Sequence, residues 1–110
     1  MIIQSKWFCK LIKVKGIMLW PFIIVKDKYD KVLVNHETIH LYQAKELWVI
    51  KFYWLYLKYY FNNKRNYKGI ASLKESWSYR NIPFEKEAFT HQSNLEYLVD
   101  RTPKAWKKYL

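Results

Sequence analysis

Asn35-His36-Glu37-Thr38-Ile39-His40 is the stretch of this 110-residue chain that decides its fold. It contains the pattern His-Glu-x-x-His. On an α-helix, residues four positions apart lie above one another, so His36 and His40 can offer two imidazole nitrogens to one metal ion. Glu37 is rotated by about 100° from His36 and can reach a water beside that ion. Two neutral nitrogen ligands with a neighbouring carboxylate are typical of hydrolytic zinc sites.

The residues around this motif predict a long helix. No glycine or proline occurs from Lys31 until Gly69, and Asp27 or Asp30 can cap the helix N-terminus. We predict a helix from about residue 31 to residue 61, bent or broken near residues 45–51. Apolar residues occupy more than one of its faces, which indicates burial on several sides or contact with a membrane.

The segment before the motif predicts a small β-sheet within residues 1–26. Residues 12–15 alternate between apolar and charged side chains, as in a short strand. The β-branched residues Ile23, Ile24 and Val25 favour a second strand, and Pro21 suits its start or an edge position. We therefore expect an antiparallel hairpin or meander over residues 7–25, with an exposed edge.

The segment after the long helix predicts shorter helices. Pro83 suits a first helical turn, and the acidic Glu85 and Glu87 near it suit the helix dipole, so we predict a helix over residues 83–91. Further helical segments are expected over residues 94–110, the last opening at Thr102-Pro103. Together these elements predict one α+β domain, mostly helical, spanning residues 1–110.

A third metal ligand is needed, since catalytic zinc usually binds three protein side chains and one water. Glu85 is the best placed, because a second, antiparallel helix can bring its carboxylate against the two histidines. Ala88, one turn later, would let the helices approach closely. Glu87 faces elsewhere and is the weaker candidate, and His91 is a more distant one.

His36-Glu37-Thr38-Ile39-His40 followed by Glu85-Lys86-Glu87-Ala88 resembles the gluzincin zinc metallopeptidases, and the chain length is similar to that of minigluzincins. The resemblance covers about residues 23–89. It implies a zincin-like fold with an active-site helix and a glutamate helix. His36, His40 and Glu85 would be the Zn²⁺ ligands and Glu37 the general base. Family members often carry an acidic residue after the alanine, where this chain has Phe89; Glu87 or Asn35 would have to orient a ligand instead.

The resemblance also implies a peptide or protein substrate that pairs with an edge strand before the active-site helix. The residues expected to form that edge are Phe22, Ile23, Ile24 and Val25. Tyr79 and Arg80 precede the glutamate helix and are candidates for stabilising the oxyanion. Each also has an ordinary structural interpretation: Arg80 as an ion-pair partner of Glu85 or Glu87, and Tyr79 as a packing residue.

Composition leaves other functions open. The net charge is +11, and 20% of the residues are aromatic: six Trp, ten Tyr and six Phe. Dispersed lysines favour a solubilising surface, so nucleic acid is not the expected partner, although a basic, aromatic binding module for anionic membrane or nucleic acid remains an alternative. Peripheral membrane contact is expected, if anywhere, between Leu47 and Phe61. A catalytically silent zincin-like protein, or a toxin or regulator with one target, is the other alternative.

Targeting signals are not recognisable in the sequence. Lysines interrupt the apolar runs of the first fifteen residues, so no signal peptide is predicted, and no run is long enough for a convincing transmembrane span. A single cysteine, Cys9, excludes an intrachain disulfide. We therefore expect a cytoplasmic location.

Overall fold

The N-terminal part of the chain forms a three-stranded sheet in a computed structural model that describes residues 2–110. The strands are β1 (Ile2–Gln4), β2 (Gly16–Leu19) and β3 (Phe22–Val25). β3 lies in the centre, parallel to β1 and antiparallel to β2. The prediction that Phe22–Val25 forms an edge is therefore wrong, because β1 and β2 pair with both of its sides. The edge nearest the sequence motif is β2.

The strand predicted over residues 12–15 is absent, and a helix precedes that position. Helix α1 (Lys6–Leu11) begins after Ser5, whose hydroxyl accepts a hydrogen bond from the Phe8 amide at 3.2 Å. The chain then turns, with Lys13 in the left-handed region at φ 58°. The alternation of residues 12–15 therefore belongs to a turn that connects α1 to β2.

The predicted long helix is two helices, broken within the expected interval. Helix α2 (Lys31–Glu46) is capped by the Asp30 carboxylate, which accepts a hydrogen bond from the Leu33 amide at 3.1 Å. Helix α3 (Val49–Asn66) starts after Trp48, which has φ 56°. Because this backbone conformation cannot continue a helix, α3 leaves in a new direction and packs back against α2.

The C-terminal part is a series of short helices. A 3₁₀ turn (Ala71–Leu73) leads into α4 (Lys74–Arg80), followed by α5 (Pro83–His91) and α6 (Tyr97–Asp100). A second 3₁₀ helix spans Ala105–Tyr109. The prediction for residues 83–91 is confirmed, with proline in the first turn of α5.

A single apolar core lies between the sheet, α2, α3 and α5. Its centre is Phe84 of α5, whose ring lies 4.8 Å from that of Phe52 and 4.7 Å from that of Trp106. Trp106 from the last helix closes the core on one side, and Met18 and Ile23 from the sheet close it on the other. The architecture is α+β, as predicted.

None of the helices described within residues 2–110 combines the length and the apolar character needed to cross a membrane.

Candidate metal centre

Three side chains from two helices converge on one point inside the protein. His36 and His40 lie on α2, and Glu85 lies in the first turn of α5. The Nε2 atoms of His36 and His40 are each 3.0 Å from Glu85 Oε1 and 3.2 Å from one another. All three residues are buried. These residues form a group that could hold a metal ion.

The spacing of these atoms suits a small divalent ion. Zinc binds imidazole nitrogen and carboxylate oxygen at about 2.0–2.1 Å, which places two ligands of a tetrahedral site about 3.3 Å apart. The observed separations of 3.0 to 3.2 Å lie close to that value. Two histidine nitrogens and one carboxylate oxygen are also a donor set that catalytic zinc sites use, with the fourth position left for water.

The proton positions on His40 follow from its neighbour Gln43. The Gln43 amide nitrogen donates to the Phe84 carbonyl at 3.0 Å and to Glu87 Oε1 at 2.9 Å. Both partners can only accept, so the orientation of this amide is fixed. Its oxygen therefore faces His40 Nδ1, at 2.8 Å, and accepts a hydrogen bond from the Nδ1–H group. In neutral His40 the lone pair is consequently on Nε2, which points at Glu85.

His36 is oriented by a different glutamine. Its Nδ1 lies 2.9 Å from Gln92 Oε1, just past the end of α5. Asn35 holds that part of the backbone, because its amide donates to the carbonyls of Gln92 and Asn94 at 2.8 and 3.0 Å. Asn35 thus acts through the backbone and not on the ligand directly. The sequence predicted that Asn35 or Glu87 would orient a ligand, whereas two glutamines make the direct contacts.

When both histidines are neutral with their protons on Nδ1, lone pairs of His36 Nε2, His40 Nε2 and Glu85 Oε1 face one another. No proton then lies between these three atoms. Such an arrangement needs a cation, which can be a proton or a metal ion. Burial alone would lower the pKa of His40, but the Glu85 carboxylate outweighs it and raises that pKa to about 9. Burial would likewise raise the pKa of Glu85, yet the two imidazoles hold it well below its usual range. A metal ion bound at this point would compete with a proton on His40.

Glu87 lies behind Gln43 and is not a ligand. Its carboxylate receives hydrogen bonds from Arg101 Nε and the Tyr97 hydroxyl, both at 2.6 Å. Arg101 also pairs with Glu46 at 2.7 Å, which links α2 to the C-terminal segment. Burial opposes ionisation of Glu87, but these donors hold its pKa below the usual range. The carboxylate therefore stays charged and fixes Gln43.

His91 is also outside the group. Its Nε2 lies 3.0 Å from the Tyr109 hydroxyl, and its ring stacks on Tyr97 at 3.8 Å. The more distant alternative for a third ligand is thus occupied elsewhere, and Glu85 is the carboxylate that joins the two histidines.

Tyr56 of α3 is a site residue that sequence reasoning missed. Its hydroxyl donates to Glu85 Oε2 at 2.6 Å, which leaves Oε1 directed at the histidines. Burial, and then the Glu85 carboxylate, raise the pKa of Tyr56 far above its usual range, so the hydroxyl keeps the proton it donates. One signal existed in the sequence: Tyr56 is four residues from the buried Phe52, on the same helical face.

Glu37 lies beside the three convergent residues, as the motif predicts, and borders two cavities. Burial raises its pKa, and the two imidazoles act in the opposite direction. Gly16 of β2 lies close to this side chain: a Cβ there would be 3.4 Å from Glu37 Cγ and 3.1 Å from Leu33 Cδ1. The edge strand is thus held at van der Waals distance from the helix that carries the motif.

The two cavities lie next to one another along β2. One, of about 340 Å³, is lined by Met18, Leu19, Phe52 and Tyr53 together with the convergent site residues His40 and Glu85. The other, of about 470 Å³, extends towards His36, Phe89 and Gln92. Gly16, Glu37 and Tyr79 border both cavities. The two cavities therefore form one cleft that passes Glu37.

The two oxyanion candidates differ in position. Tyr79 borders the cleft beside Glu37, and burial together with the Glu85 carboxylate raises its pKa above the usual range, so it remains a donor. Arg80 is exposed, and its guanidinium lies over the Phe89 ring, 4.1 Å from the centroid. It pairs with neither Glu85 nor Glu87 in the described residues. Phe89 in turn contacts the His36 ring at 4.6 Å.

In comparisons with protein-family models, curated proteins and solved structures, the chain has no significant match. The resemblance to gluzincins therefore depends on the motif residues alone and stays a prediction.

Proposed function

We propose that the protein is a zinc-dependent metallopeptidase. The observation that carries this proposal is that His36 Nε2, His40 Nε2 and Glu85 Oε1 lie 3.0 to 3.2 Å from one another. The contact with Gln43 sets neutral His40 to present its lone pair to that point. Gln92 Oε1 lies 2.9 Å from Nδ1 of His36, where it can accept a hydrogen bond from the corresponding tautomer. A bound Zn²⁺ would supply Lewis acidity there, activating a water and polarising a carbonyl.

The neighbouring residues have the properties that peptide hydrolysis needs. Glu37 is buried next to the ligands, and its raised pKa suits a group that accepts a proton and later returns it to a leaving amine. Tyr79 keeps its hydroxyl proton and borders the same cleft, so it can donate to the developing oxyanion. Arg80 stacks on Phe89 and does not line the cleft itself, so it is assigned a structural role.

The substrate in this proposal is an extended peptide bound along β2 rather than along β3. β2 has one unpaired side, whereas both sides of β3 are paired. A peptide can add to a free strand edge through main-chain hydrogen bonds. The cavity below β2 is mainly apolar, lined by Met18, Leu19 and Phe52, and suits a hydrophobic side chain next to the cleaved bond.

The metal part of the proposal is tested by zinc content after dialysis of purified protein against zinc and then buffer. We expect one zinc per chain in the wild type, and loss of zinc in His36→Ala and Glu85→Ala. His91→Ala is the matched control, because it removes the one histidine outside the group and should keep zinc. Wild-type protein without zinc, or equal zinc in all four proteins, would contradict the proposal.

The catalytic part is tested with quenched fluorescent peptides that carry hydrophobic residues at varied positions. Glu37→Gln should keep its zinc and lower kcat by roughly 10²–10⁴. Equal rates in the wild type and Glu37→Gln would remove Glu37 from the mechanism. Zinc binding without hydrolysis of any peptide would favour the catalytically silent alternative.

A further inference from the structure

Helix α3 carries an exposed apolar stripe that the metal site does not use. The stripe consists of Ile50, Trp54, Leu57 and Phe61, with exposed fractions of 85, 60, 54 and 58%. Spacings of four, three and four residues place these side chains on one helical face. At a rise of about 1.5 Å per residue they extend over about 17 Å. We call this set the outer stripe.

The outer stripe lies opposite the face of α3 that builds the metal centre. Phe52 is buried in the core, and Tyr56 donates to Glu85. At about 100° per residue, Phe52 points about 170° and Tyr56 about 130° away from the middle of the outer stripe. The fold therefore accounts for one face of this helix and leaves the other without a partner inside the described chain.

Positive charges border the outer stripe on both sides. Lys51, Lys58 and Arg65 recur every seven residues along one border, and Lys64 lies on the other. Lys58 Nζ also lies 5.2 Å from the centre of the Trp54 ring. α3 contains no acidic residue, and the whole chain carries a net charge of +11.

We propose that the outer stripe docks on the surface of an anionic lipid bilayer, with α3 lying in the plane of the headgroups. Tryptophan and phenylalanine on an apolar face, with lysines along its borders, match the requirements of an interfacial helix. Anionic headgroups complement the bordering cations. A second copy of the chain is a poor occupant, because it would bring two chains of charge +11 together with no acidic residue on α3 to pair them.

The proposal does not depend on the metal, so it is tested by binding alone. Purified protein is sedimented with sucrose-loaded vesicles of phosphatidylcholine, or of phosphatidylcholine mixed with phosphatidylglycerol. We expect binding to the mixed vesicles, much weaker binding to the neutral ones, and release at high salt. Failure to bind mixed vesicles, or equal binding to both kinds, would overturn the proposal.

Two pairs of variants separate the outer stripe from general surface effects. Trp54→Gln/Leu57→Gln should bind the mixed vesicles about a hundredfold or more weakly, while Trp7→Gln/Leu11→Gln is the control. Trp7 and Leu11 are a Trp and Leu on α1 that are more exposed than Trp54 and Leu57, at 73 and 62%, so this variant should bind the mixed vesicles nearly as the wild type does. Lys51→Gln/Lys58→Gln should weaken binding by about thirtyfold, and more than the equally charged Lys10→Gln/Lys108→Gln. Equal losses within either pair would refute a role for the outer stripe.

Circular dichroism of each variant, expected to match the wild type because these side chains are exposed, confirms that the fold is retained. Light scattering of the free protein tests the other occupant. A dimer that disappears in Trp54→Gln/Leu57→Gln would identify the outer stripe as a contact between copies and would overturn the lipid proposal.

Discussion

His40 and His36 present their Nε2 atoms to the same point but are held there in different ways. The glutamine behind His40, Gln43, is fully buried and is fixed by the Phe84 carbonyl and by Glu87. The glutamine behind His36, Gln92, is half-buried at the end of α5 and depends on Asn35 for its backbone position. One histidine is supported by the core, and the other by a helix end.

This difference indicates that the two histidines respond differently to substitutions of the residues behind them. A substitution behind His40 must disturb a connected set of buried charges, since Glu87 binds Arg101 and Arg101 binds Glu46. A substitution behind His36 disturbs only the hydrogen bond between Gln92 and His36, near solvent, where water can replace the lost partner. We expect the His40 side to couple metal binding to folding, and the His36 side to affect metal binding with little cost in stability.

The largest expected effect follows from Glu87→Ala. Removal of this buried carboxylate leaves Arg101 with Glu46 alone, leaves the Tyr97 hydroxyl without its acceptor, and leaves the Gln43 amide with the Phe84 carbonyl only. We expect the free energy of unfolding of the metal-free protein to fall by about 3–5 kcal/mol, measured by urea denaturation. Glu96→Ala, at an exposed position, is the control and should change it by less than about 0.5 kcal/mol. A loss below about 1 kcal/mol in Glu87→Ala would show that the buried charges do not support the fold.

The next effect is a dependence of stability on pH in the metal-free protein. The folded pKa of His40 is about 9, against about 6.5 when unfolded. Its contribution is therefore complete below about pH 6.5 and is lost as the pH rises through 9. We expect metal-free protein to lose on the order of 2 kcal/mol of unfolding free energy between pH 6.5 and 9. The unfolding free energy of zinc-loaded protein should not fall over this interval. If that of the metal-free protein does not fall either, His40 is not the protonated group that the prediction requires.

A smaller effect on metal binding is expected for Gln43→Met, which keeps the side-chain volume but removes the acceptor for His40 Nδ1. The zinc dissociation constant, measured by competition with a chelator, should rise by about a hundredfold. The loss of two buried hydrogen bonds from Gln43 should also lower the unfolding free energy by about 1–3 kcal/mol. Unchanged stability with weakened zinc binding would mean that the core does not depend on this amide.

The smallest expected effect is that of Gln92→Met, the matching substitution behind His36. We expect zinc to bind about tenfold more weakly, with the unfolding free energy unchanged within about 0.5 kcal/mol. The same chelator competition and urea denaturation measure both quantities. If Gln92→Met and Gln43→Met weaken zinc binding and stability equally, the contrast between the two histidines is wrong.

The helices that carry the convergent residues could be predicted because their signals are local. Asp30 caps α2, Pro83 begins α5, and the four-residue spacing of the histidines is a property of any helix. Glu85 followed from the same kind of reasoning. The contacts around the ligands could not be predicted in this way. Gln92 lies 56 residues from His36, and Tyr56 lies 29 residues from Glu85, so only tertiary packing brings each pair together.

The sheet was predicted less well because its order depends on a contact between distant segments. β1 has only three residues, and its parallel pairing with β3 covers the side of Phe22–Val25 that was expected to be free. The alternating pattern of residues 12–15 was misinterpreted because the cap at Ser5 starts a helix before it. Local patterns thus located the β3 strand but not its neighbours.

Gly16 has a consequence for how this chain can diverge. Any larger residue there would press on Val25, Leu33 and Glu37, none of which binds the convergent point directly. Either these side chains would have to give way by a few tenths of an ångström or the strand would have to move outward, and both change the space between the free edge and Glu37. The width of the cleft is thus set at a position outside the convergent residues. A single substitution at Gly16 could alter which peptide backbone fits the cleft, while the two histidines and Glu85 stay in place.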